Sequence, residues 1–325
     1  MSTLLLTRAD IAELMTPADY LAAVEMAFSL AARGQMDAPP PMSIHGVGGG
    51  AFHAKGAALF GDRKLVAVKL NGNFPANPGR GLPTIQGAIL LCDAETGALL
   101  AIMDSIEITL RRTAAASALA AKHCARPGAE TIAIVGCGAQ AGAQLEALAD
   151  VLPLKRGLAY DTDEAKARAF ATQAHRTLAF EPVSSLRLAT ARADIVVTCT
   201  TARSPFLDID DVAPGVFIAA VGADSPHKSE IAPSLMRRAA VVTDVSAQCA
   251  IMGDLHHALK AGAMTEDQVR AELAELVAAL KRGRLADNEI VVFDSTGTAI
   301  QGVASAAVVY QRALDRGVGA HMELA

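Results

Sequence analysis

The segment Thr131-Ile-Ala-Ile-Val-Gly-Cys-Gly-Ala-Gln-Ala-Gly142 decides the fold of this chain. Its first five residues are a short, β-rich apolar run, glycines follow at 136 and 138, and residues 143–151 have the composition of a helix. A glycine turn between a strand and a helix is typical of a dinucleotide site, because glycine lets a pyrophosphate approach the unpaired N–H groups of the helix N-terminus. The alternative interpretation is a tight turn without a ligand.

An acidic residue favours the dinucleotide interpretation. Residues 158–161 are predicted to form a second strand that ends at Asp161. In dinucleotide-binding folds, a carboxylate at this point binds the ribose hydroxyls of the adenosine. Asp161 and Asp163 also place negative charge where the 2′-phosphate of NADPH would lie. The sequence therefore predicts NADH as the preferred cofactor, with NADPH as the alternative.

The composition restricts the class of protein. A chain of 325 residues is long for one core, so two domains are expected. A net charge of −5 and an aromatic content of 4% argue against nucleic acid or a membrane surface as a partner. The five cysteines are scattered and form no Cys-x-x-Cys motif, which predicts reduced thiols, a cytoplasmic location and no metal site. No apolar run is long enough for a signal peptide or a membrane span.

The order of predicted elements divides the chain into two parts. Residues 1 to about 35 are predicted to be helical, a meander of strands follows, and an alanine-rich helix covers residues 113–124. After residue 131, strands alternate with helices, which indicates a parallel, doubly wound sheet. The predicted strands and helices of this second part are 194–199, 216–221, 240–244 and 289–293, and 246–260 and 266–281. A last helix, about 298–316, is expected to return to the first domain.

Lys69 interrupts an otherwise apolar strand at residues 65–70. It either faces water at a strand edge or lies buried with a partner, since an unpaired buried lysine is costly. In the second case it would bind a substrate carboxylate, or donate a proton if burial lowers its pKa. His53 and Lys55 alternate on a candidate strand that would face the same pocket.

Arg111 and Arg112 directly precede the helix predicted at residues 113–124. The positive end of the helix dipole repels an arginine at this place, so its presence suggests a bound anion. An arginine there can bind a carboxylate with two parallel hydrogen bonds. The alternative is an ordinary surface arginine.

Asp224 follows a predicted strand at its carboxyl end, where the nicotinamide of a dinucleotide would lie. Its position and type fit a group that accepts or relays a proton. The alternative is an aspartate that only shapes a turn ahead of Pro226. His227, Lys228 and Glu230 follow, and one or more of them is expected to be solvated.

Taken together, these residues resemble the ornithine cyclodeaminase/μ-crystallin superfamily over nearly the whole chain. The resemblance is carried by residues 66–87, 104–123, 136–140, 221–230 and 293–297. Within the superfamily, Phe52-His-Ala-Lys-Gly, Leu70-Asn-Gly-Asn-Phe-Pro, Asp104-Ser-Ile-Glu-Ile-Thr and Ala223-Asp-Ser-Pro-His-Lys-Ser-Glu are most similar to bacterial Δ1-pyrroline-2-carboxylate reductases. Those enzymes reduce a cyclic imino acid to L-proline with NAD(P)H.

The resemblance implies an α/β fold with two domains. A Rossmann-type doubly wound parallel sheet is expected at residues 114–302. An α+β domain for substrate binding and dimerisation is expected at residues 1–113 and 303–325, in a homodimer.

The resemblance also implies the site. The substrate carboxylate is expected at Arg112 and Lys69, near His53 and Lys55, with Lys69 and Asp224 as the catalytic residues. The expected cofactor contacts are Thr84, Arg112, Thr113, Gly136, Gly138, Ala139, Gln140, Asp161, Thr200, Val221, Gly222 and Ser295.

The expected activity is the NAD(P)H-dependent reduction of Δ1-pyrroline-2-carboxylate, or of Δ1-piperideine-2-carboxylate, to L-proline or L-pipecolate. One departure argues against deamination: cyclodeaminases carry a glutamate before the strand lysine, whereas this chain has His53, Lys55 and Gly56 there. The alternatives are an ornithine cyclodeaminase, an amino-acid dehydrogenase similar to alanine dehydrogenase, and a ligand-binding protein similar to μ-crystallin.

Overall fold

The chain forms two units, which a computed structural model describes at residues 2–174 and 178–324. Unit 1 comprises Met1–Arg112 and Thr298–Ala325, and unit 2 comprises Thr113–Gly297. No helix among the described residues is both long enough and apolar enough to cross a membrane.

Unit 1 is built on one mixed sheet. Its strands are β1 (Ser2–Leu6), β2 (Met36–Asp37), β3 (Met42–His45), β4 (Ala51–Phe60), β5 (Lys64–Asn73), β6 (Ile85–Asp93), β7 (Leu99–Asp104) and β16 (Ala320–Glu323). The strand order is β16-β1-β7-β6-β5-β4-β2, with β3 paired to β4. Only the β1–β7 pairing among these strands is parallel, so β4 to β7 form the predicted antiparallel meander.

The helices that begin in unit 1 are α1 (Arg8–Leu14), α2 (Pro17–Ala32), α3 (Ser105–Cys124) and α11 (Ala299–Arg316). The prediction of one helical region over residues 1–35 is wrong, because β1 precedes two separate helices. Thr16 and Asp19 form a capping box, and Pro17 occupies the first helical position, so the chain must start a new helix there. The last helix was predicted correctly.

Helix α3 begins at Ser105, eight positions before the predicted start. The β-branched Ile106 and Ile108 favour an extended backbone in a local prediction. The Asp104 carboxylate instead accepts the N–H of Ile106 at 2.9 Å and caps the helix. Aspartate followed three residues later by Glu107 is a capping signal that was available in the sequence.

The two faces of the unit 1 sheet differ. Helix α11 packs against β4 and β5 and against α2, and covers the face that carries the odd-numbered residues of β5, such as Leu65 and Ala67. The opposite face is apolar and exposed: Val68 and Leu90 are cross-strand partners, with 41% and 40% of their surface accessible. Phe52 and Leu70 share this face with 37% and 45% exposure.

Unit 2 is a fully parallel sheet. Its strands are β8 (Thr131–Val135), β9 (Arg156–Tyr160), β10 (Ala179–Pro182), β11 (Ile195–Thr198), β12 (Phe217–Ala220), β13 (Ala240–Thr243), β14 (Ala271–Glu272) and β15 (Val291–Asp294). Their order is β10-β9-β8-β11-β12-β15-β13-β14. The order reverses at β8, so successive crossovers lie on opposite faces of the sheet. The predicted α/β fold, with a Rossmann-type sheet and a second α+β unit, is confirmed.

The helices that lie wholly in unit 2 are α4 (Ala139–Val151), α5 (Glu164–Gln173), α6 (Leu186–Thr190), α7 (Pro233–Arg238), α8 (Ser246–Cys249), α9 (Asp254–Lys260) and α10 (Leu273–Val277). The helix predicted at 246–260 is interrupted, because Gly253 has a φ of +91° that a continuous helix cannot contain. The helix predicted at 266–281 is wrong: this segment holds a 3₁₀ turn (Glu266–Gln268), then β14, which pairs with β13, and then the short α10.

Candidate functional site

The glycine turn lies between β8 and α4, as the sequence predicts. Gly136 has a φ of +95°, and a Cβ on it would lie 2.8 Å from the Thr200 side chain and 2.9 Å from the Cys199 carbonyl, so only glycine fits. At Gly138, a Cβ would meet no described atom within 4 Å. Gly138 is the N-cap of α4, and among the described side chains none caps that helix end. A helix N-terminus without a side-chain cap suits a pyrophosphate, because its first N–H groups can bind an anion.

Asp161 directly follows β9 at its carboxyl end. Its Oδ2 accepts the N–H of Cys137 at 2.9 Å, and its Oδ1 accepts the N–H of Asp163 at 2.9 Å. The carboxylate is thus fixed beside the glycine turn. The glycine turn and the fixed carboxylate together fit a dinucleotide whose ribose lies at Asp161.

Other predicted cofactor residues of unit 2 follow neighbouring strands. Thr200 follows β11, Val221 and Gly222 follow β12, and Ser295 follows β15. Because these strands are parallel neighbours, all four residues lie at the carboxyl edge of the sheet, where this fold binds ligands. The remaining residues are Ala139 and Gln140 at the start of α4, Thr113 in α3, and Thr84, which belongs to unit 1 before β6. Their contacts with a cofactor stay predictions.

Asp224 lies in the loop after β12 with 55% of its side chain exposed. Its Oδ1 accepts a hydrogen bond from the Lys228 ammonium at 2.7 Å. Lys228 therefore forms an ion pair and is not one of the residues that are merely solvated. His227 is exposed, in line with the expectation that one of the residues after Asp224 is solvated.

Glu230 follows in the same loop, and its buried, structural position was not predicted from the sequence. It is fully buried, and its carboxylate accepts four hydrogen bonds, from Thr198, from the N–H and hydroxyl of Thr200, and from the N–H of Gly222. Burial raises its pKa to about 7. A glutamate that follows lysine and serine gives no local signal of burial, because its partners are remote in sequence.

A small, open cavity in unit 1 is lined by Lys55, Lys69 and Arg112. The other residues of its lining are Ala67, Ile89, Thr298, Ala299, Gly302 and Val303. The structure therefore brings together three of the four residues predicted to bind substrate. His53 is not part of this lining; its Nδ1 lies 3.0 Å from the Ser43 hydroxyl.

Arg112 is the most buried cation of the cavity, with 3% of its surface exposed. Its Nη1 donates to the Thr298 carbonyl at 3.0 Å and to the Gln301 Oε1 at 2.5 Å, two neutral oxygens of the α11 start. It lies well inside α3, so the prediction that it sits at a helix N-terminus is wrong. Its neighbour Arg111 forms an ion pair with Glu107 one helical turn earlier, at 2.9 Å.

The two lysines of the cavity are cross-strand partners on β4 and β5. Lys69 is half-buried, and its ammonium donates to the Thr109 hydroxyl at 3.3 Å. Like charges directly opposite each other destabilise a sheet. Among the described residues, none that lines the cavity carries a carboxylate. The carboxylate of a small organic anion would match the planar guanidinium of Arg112.

A Rossmann-type sheet with a glycine turn and a fixed acidic residue is typical of an NAD(P)-dependent oxidoreductase. Residues 1–317 match the ornithine cyclodeaminase/mu-crystallin family, and the chain belongs to it.

Three relatives illustrate the range of this family. The alanine dehydrogenase of Archaeoglobus fulgidus is 37% identical over 99% of both chains. The iminosuccinate reductase of Paracoccus denitrificans is 35% identical over 99% of this chain and 100% of its own. The structure of Thermococcus litoralis Δ1-pyrroline-2-carboxylate reductase in complex with NADH and L-proline has a TM-score of 0.94 and 34% identity, and the match covers 98% of this chain and 100% of that one.

The buried carboxylates of unit 2 predict how stability depends on pH. Burial raises the pKa of Glu230 from 4.5 to about 7 and that of Asp254 from 3.8 to about 6. Between roughly pH 5 and pH 7 the folded state then binds more protons than the unfolded state, so the free energy of unfolding falls as the pH rises. Denaturant unfolding at several pH values measures this slope. Glu230→Gln should make it shallower, and a rise in stability over this interval would contradict the prediction.

Proposed function

We propose that this protein is an NADH-dependent imino-acid reductase that converts Δ1-pyrroline-2-carboxylate to L-proline, with Δ1-piperideine-2-carboxylate as the larger-ring alternative. The observation that carries the proposal is the set of three cations in one small cavity of a dinucleotide-binding protein. A cyclic imino acid offers a single carboxylate for those cations, and the apolar side chains of Ala67, Ile89 and Val303 suit its ring.

The acid is held by Arg112 and Lys69. Arg112 offers a rigid, planar pair of donors that fixes the plane of the carboxylate, and Lys69 adds a point charge. Holding a reactant in one orientation lowers the barrier by several kcal/mol in favourable cases. NADH supplies the hydride that the imine carbon receives.

Unit 2 holds the dinucleotide. The backbone N–H groups at Gly138, Ala139 and Gln140 receive the pyrophosphate, and Asp161 accepts hydrogen bonds from the ribose. Asp161 and Asp163 disfavour a 2′-phosphate, which supports NADH over NADPH. Thr200, Val221, Gly222 and Ser295 line the nicotinamide end.

The imine nitrogen must carry a proton when the carbon receives hydride. Asp224 stabilises the positive charge of the iminium, and Lys69 is the second candidate for the proton source. Asp224 also forms an ion pair with Lys228 at 2.7 Å.

A second candidate, alanine dehydrogenase, is favoured by the 37% identity to the Archaeoglobus fulgidus enzyme. An open-chain imine formed from pyruvate and ammonia would use the same carboxylate site. Ornithine cyclodeamination is disfavoured, because His53, Lys55 and Gly56 stand where a carboxylate base is needed.

A comparison of substrates tests the proposal. NADH oxidation is followed with pyrroline-2-carboxylate, with piperideine-2-carboxylate, and with pyruvate plus ammonia, each repeated with NADPH. Ammonia release from ornithine is measured in parallel. The highest kcat/KM is expected for pyrroline-2-carboxylate with NADH. Faster turnover of pyruvate plus ammonia would replace the proposal with the second candidate, and ligand binding without any turnover would indicate a binding protein.

Arg112→Lys should lower kcat/KM for the imino acid by roughly 10- to 100-fold, because a point charge cannot replace two parallel hydrogen bonds. The loss should appear mainly in the KM for the imino acid. Arg111→Lys is the matched control: it keeps a cation next to Glu107 and should be nearly silent in the same steady-state assay. Equal losses from both variants would show that Arg112 has no particular role in carboxylate binding.

Asp224→Asn keeps the shape of the side chain and removes its charge. We expect a loss in kcat of roughly 100-fold, with the NADH dissociation constant changed only a few fold. Lys228→Met is the comparison, because it breaks the same ion pair but leaves the carboxylate. If both variants lose activity equally, Asp224 acts only through the ion pair; intact turnover in Asp224→Asn removes it from the mechanism.

We also propose that the protein is a homodimer that pairs through the exposed face of the unit 1 sheet. Phe52, Val68, Leu70 and Leu90 lie on that face, each with more than a third of its surface accessible. Such a contiguous apolar patch on a soluble protein is typical of a subunit interface. The five free cysteines support a reducing compartment, and we place the protein in the cytoplasm.

Val68→Asp introduces a charge at the centre of this face and should dissociate the dimer, because burying an unpaired carboxylate is costly. Light scattering after gel filtration should show twice the chain mass of 33.5 kDa for the wild type and a single chain for the variant. Leu285→Asp, at an exposed apolar position of unit 2, is the control and should stay dimeric. A dimeric Val68→Asp protein would place the interface elsewhere.

A further inference from the structure

We propose that Glu230 is a positioning residue for the dinucleotide: from the interior of unit 2, its carboxylate fixes the loops after β11 and β12 in the conformation that receives the cofactor. The inference rests on the proposed function, because those loops contain Thr200, Val221 and Gly222. Glu230 itself contacts neither substrate nor cofactor in this proposal.

The hydrogen bonds of Glu230 connect the two loops. Its Oε1 accepts the N–H and the hydroxyl of Thr200, both at 2.7 Å. Its Oε2 accepts the Thr198 hydroxyl at 2.7 Å and the Gly222 N–H at 2.8 Å. Thr198 ends β11, Thr200 belongs to the loop after it, and Gly222 follows β12. One carboxylate thus joins the carboxyl ends of two neighbouring strands.

Gly222 is closely packed against both Glu230 and the loop after β11. A Cβ at Gly222 would lie 2.3 Å from Glu230 Oε1 and 2.6 Å from the Thr200 carbonyl oxygen. Glycine is therefore required for the close approach of both the carboxylate and the neighbouring loop.

Glu230 is itself anchored in the core. Asp254, at the start of α9, accepts the N–H groups of Glu230 and Ile231 at 2.8 and 3.0 Å and the Ser229 hydroxyl at 3.1 Å. The Glu230 carbonyl accepts the N–H groups of Phe206 and Leu207. The backbone from which the side chain extends is thus held by two separate segments of the chain, which fixes the position of the carboxylate.

The pattern of contacts distinguishes positioning from direct catalysis. A carboxylate has about four acceptor sites, and four donors of Thr198, Thr200 and Gly222 occupy them. Burial raises the pKa of Glu230 to about 7, so the charged form costs free energy that the four donors offset. A neutral amide is a poorer partner, because its NH₂ group would face two of the four donors, and the backbone N–H among them cannot turn to accept a hydrogen bond.

Glu230→Gln tests the proposal. It should raise both the dissociation constant and the KM for NADH by roughly 10- to 100-fold, since two hydrogen bonds are lost and two donors are left opposed. The KM for the imino acid should change little, because that acid is held by unit 1. NADH binding is measured directly by fluorescence titration, beside steady-state kinetics and thermal unfolding.

Two further variants make the test specific. Thr198→Val removes one of the four donors without touching Glu230 and should raise the NADH dissociation constant less, in the same direction. Thr198→Val also tests the proposal if the Glu230→Gln protein does not fold. Glu272→Gln is the matched control: Glu272 accepts a backbone N–H from Ser246 at 2.8 Å elsewhere in unit 2, so NADH affinity should be unchanged.

Two results would overturn the inference. One is unchanged NADH affinity in both Glu230→Gln and Thr198→Val. The other is an equal weakening of NADH and imino-acid binding together with lowered thermal stability, which indicates general damage. The fluorescence titration needs no turnover. A wild-type protein that binds NADH but does not reduce pyrroline-2-carboxylate would therefore contradict the proposed substrate, while the role of Glu230 would still be decided by the variants.

Discussion

The architecture of unit 2 depends on hydrogen bonds from the backbone to buried carboxylates. A carboxylate without water must have its acceptor sites filled by donors, and in this unit the donors are mainly backbone N–H groups of the loops. Asp294 accepts the N–H groups of Asp254 and Leu255, Asp254 accepts that of Glu230, and Glu230 accepts those of Thr200 and Gly222. Each acid fixes the backbone of the next segment, from β15 to the edge of the sheet where a ligand binds.

Unit 1 gathers positive charge, whereas unit 2 buries carboxylates. Its cavity gathers Lys55, Lys69 and Arg112, and the Arg112 contacts described above are to neutral oxygens of Thr298 and Gln301. These oxygens orient the guanidinium. In the proposed function, the carboxylate of the substrate binds to this group of cations.

Local patterns predicted the parts of the structure that depend on nearby residues. The glycine turn and Asp161 follow from short-range rules, and both lie where they were expected. Strands and helices alternate after residue 131 as predicted, although the helix predicted at 246–260 is interrupted and the one predicted at 266–281 is wrong. The start of α3 was missed because the preferences of Ile106 and Ile108 outweighed the cap at Asp104. Glu230 was missed because its donors lie near Thr200 and Gly222, and no spacing rule links a glutamate to two remote loops. The sequence predicted that Lys55, Lys69 and Arg112 share one pocket, but only the fold shows that the two lysines are cross-strand partners.

The division of unit 1 into two chain segments has a consequence for biosynthesis. Unit 2 is continuous in sequence, whereas α11 and β16 of unit 1 are translated after it. The β4 and β5 surface that α11 covers therefore stays without its helix while the whole of unit 2 leaves the ribosome. Domains of this size commonly fold as units during synthesis, so the parallel sheet can be complete before the first strands of the chain acquire their last partners. Exposed apolar strands in that interval are natural clients for chaperones.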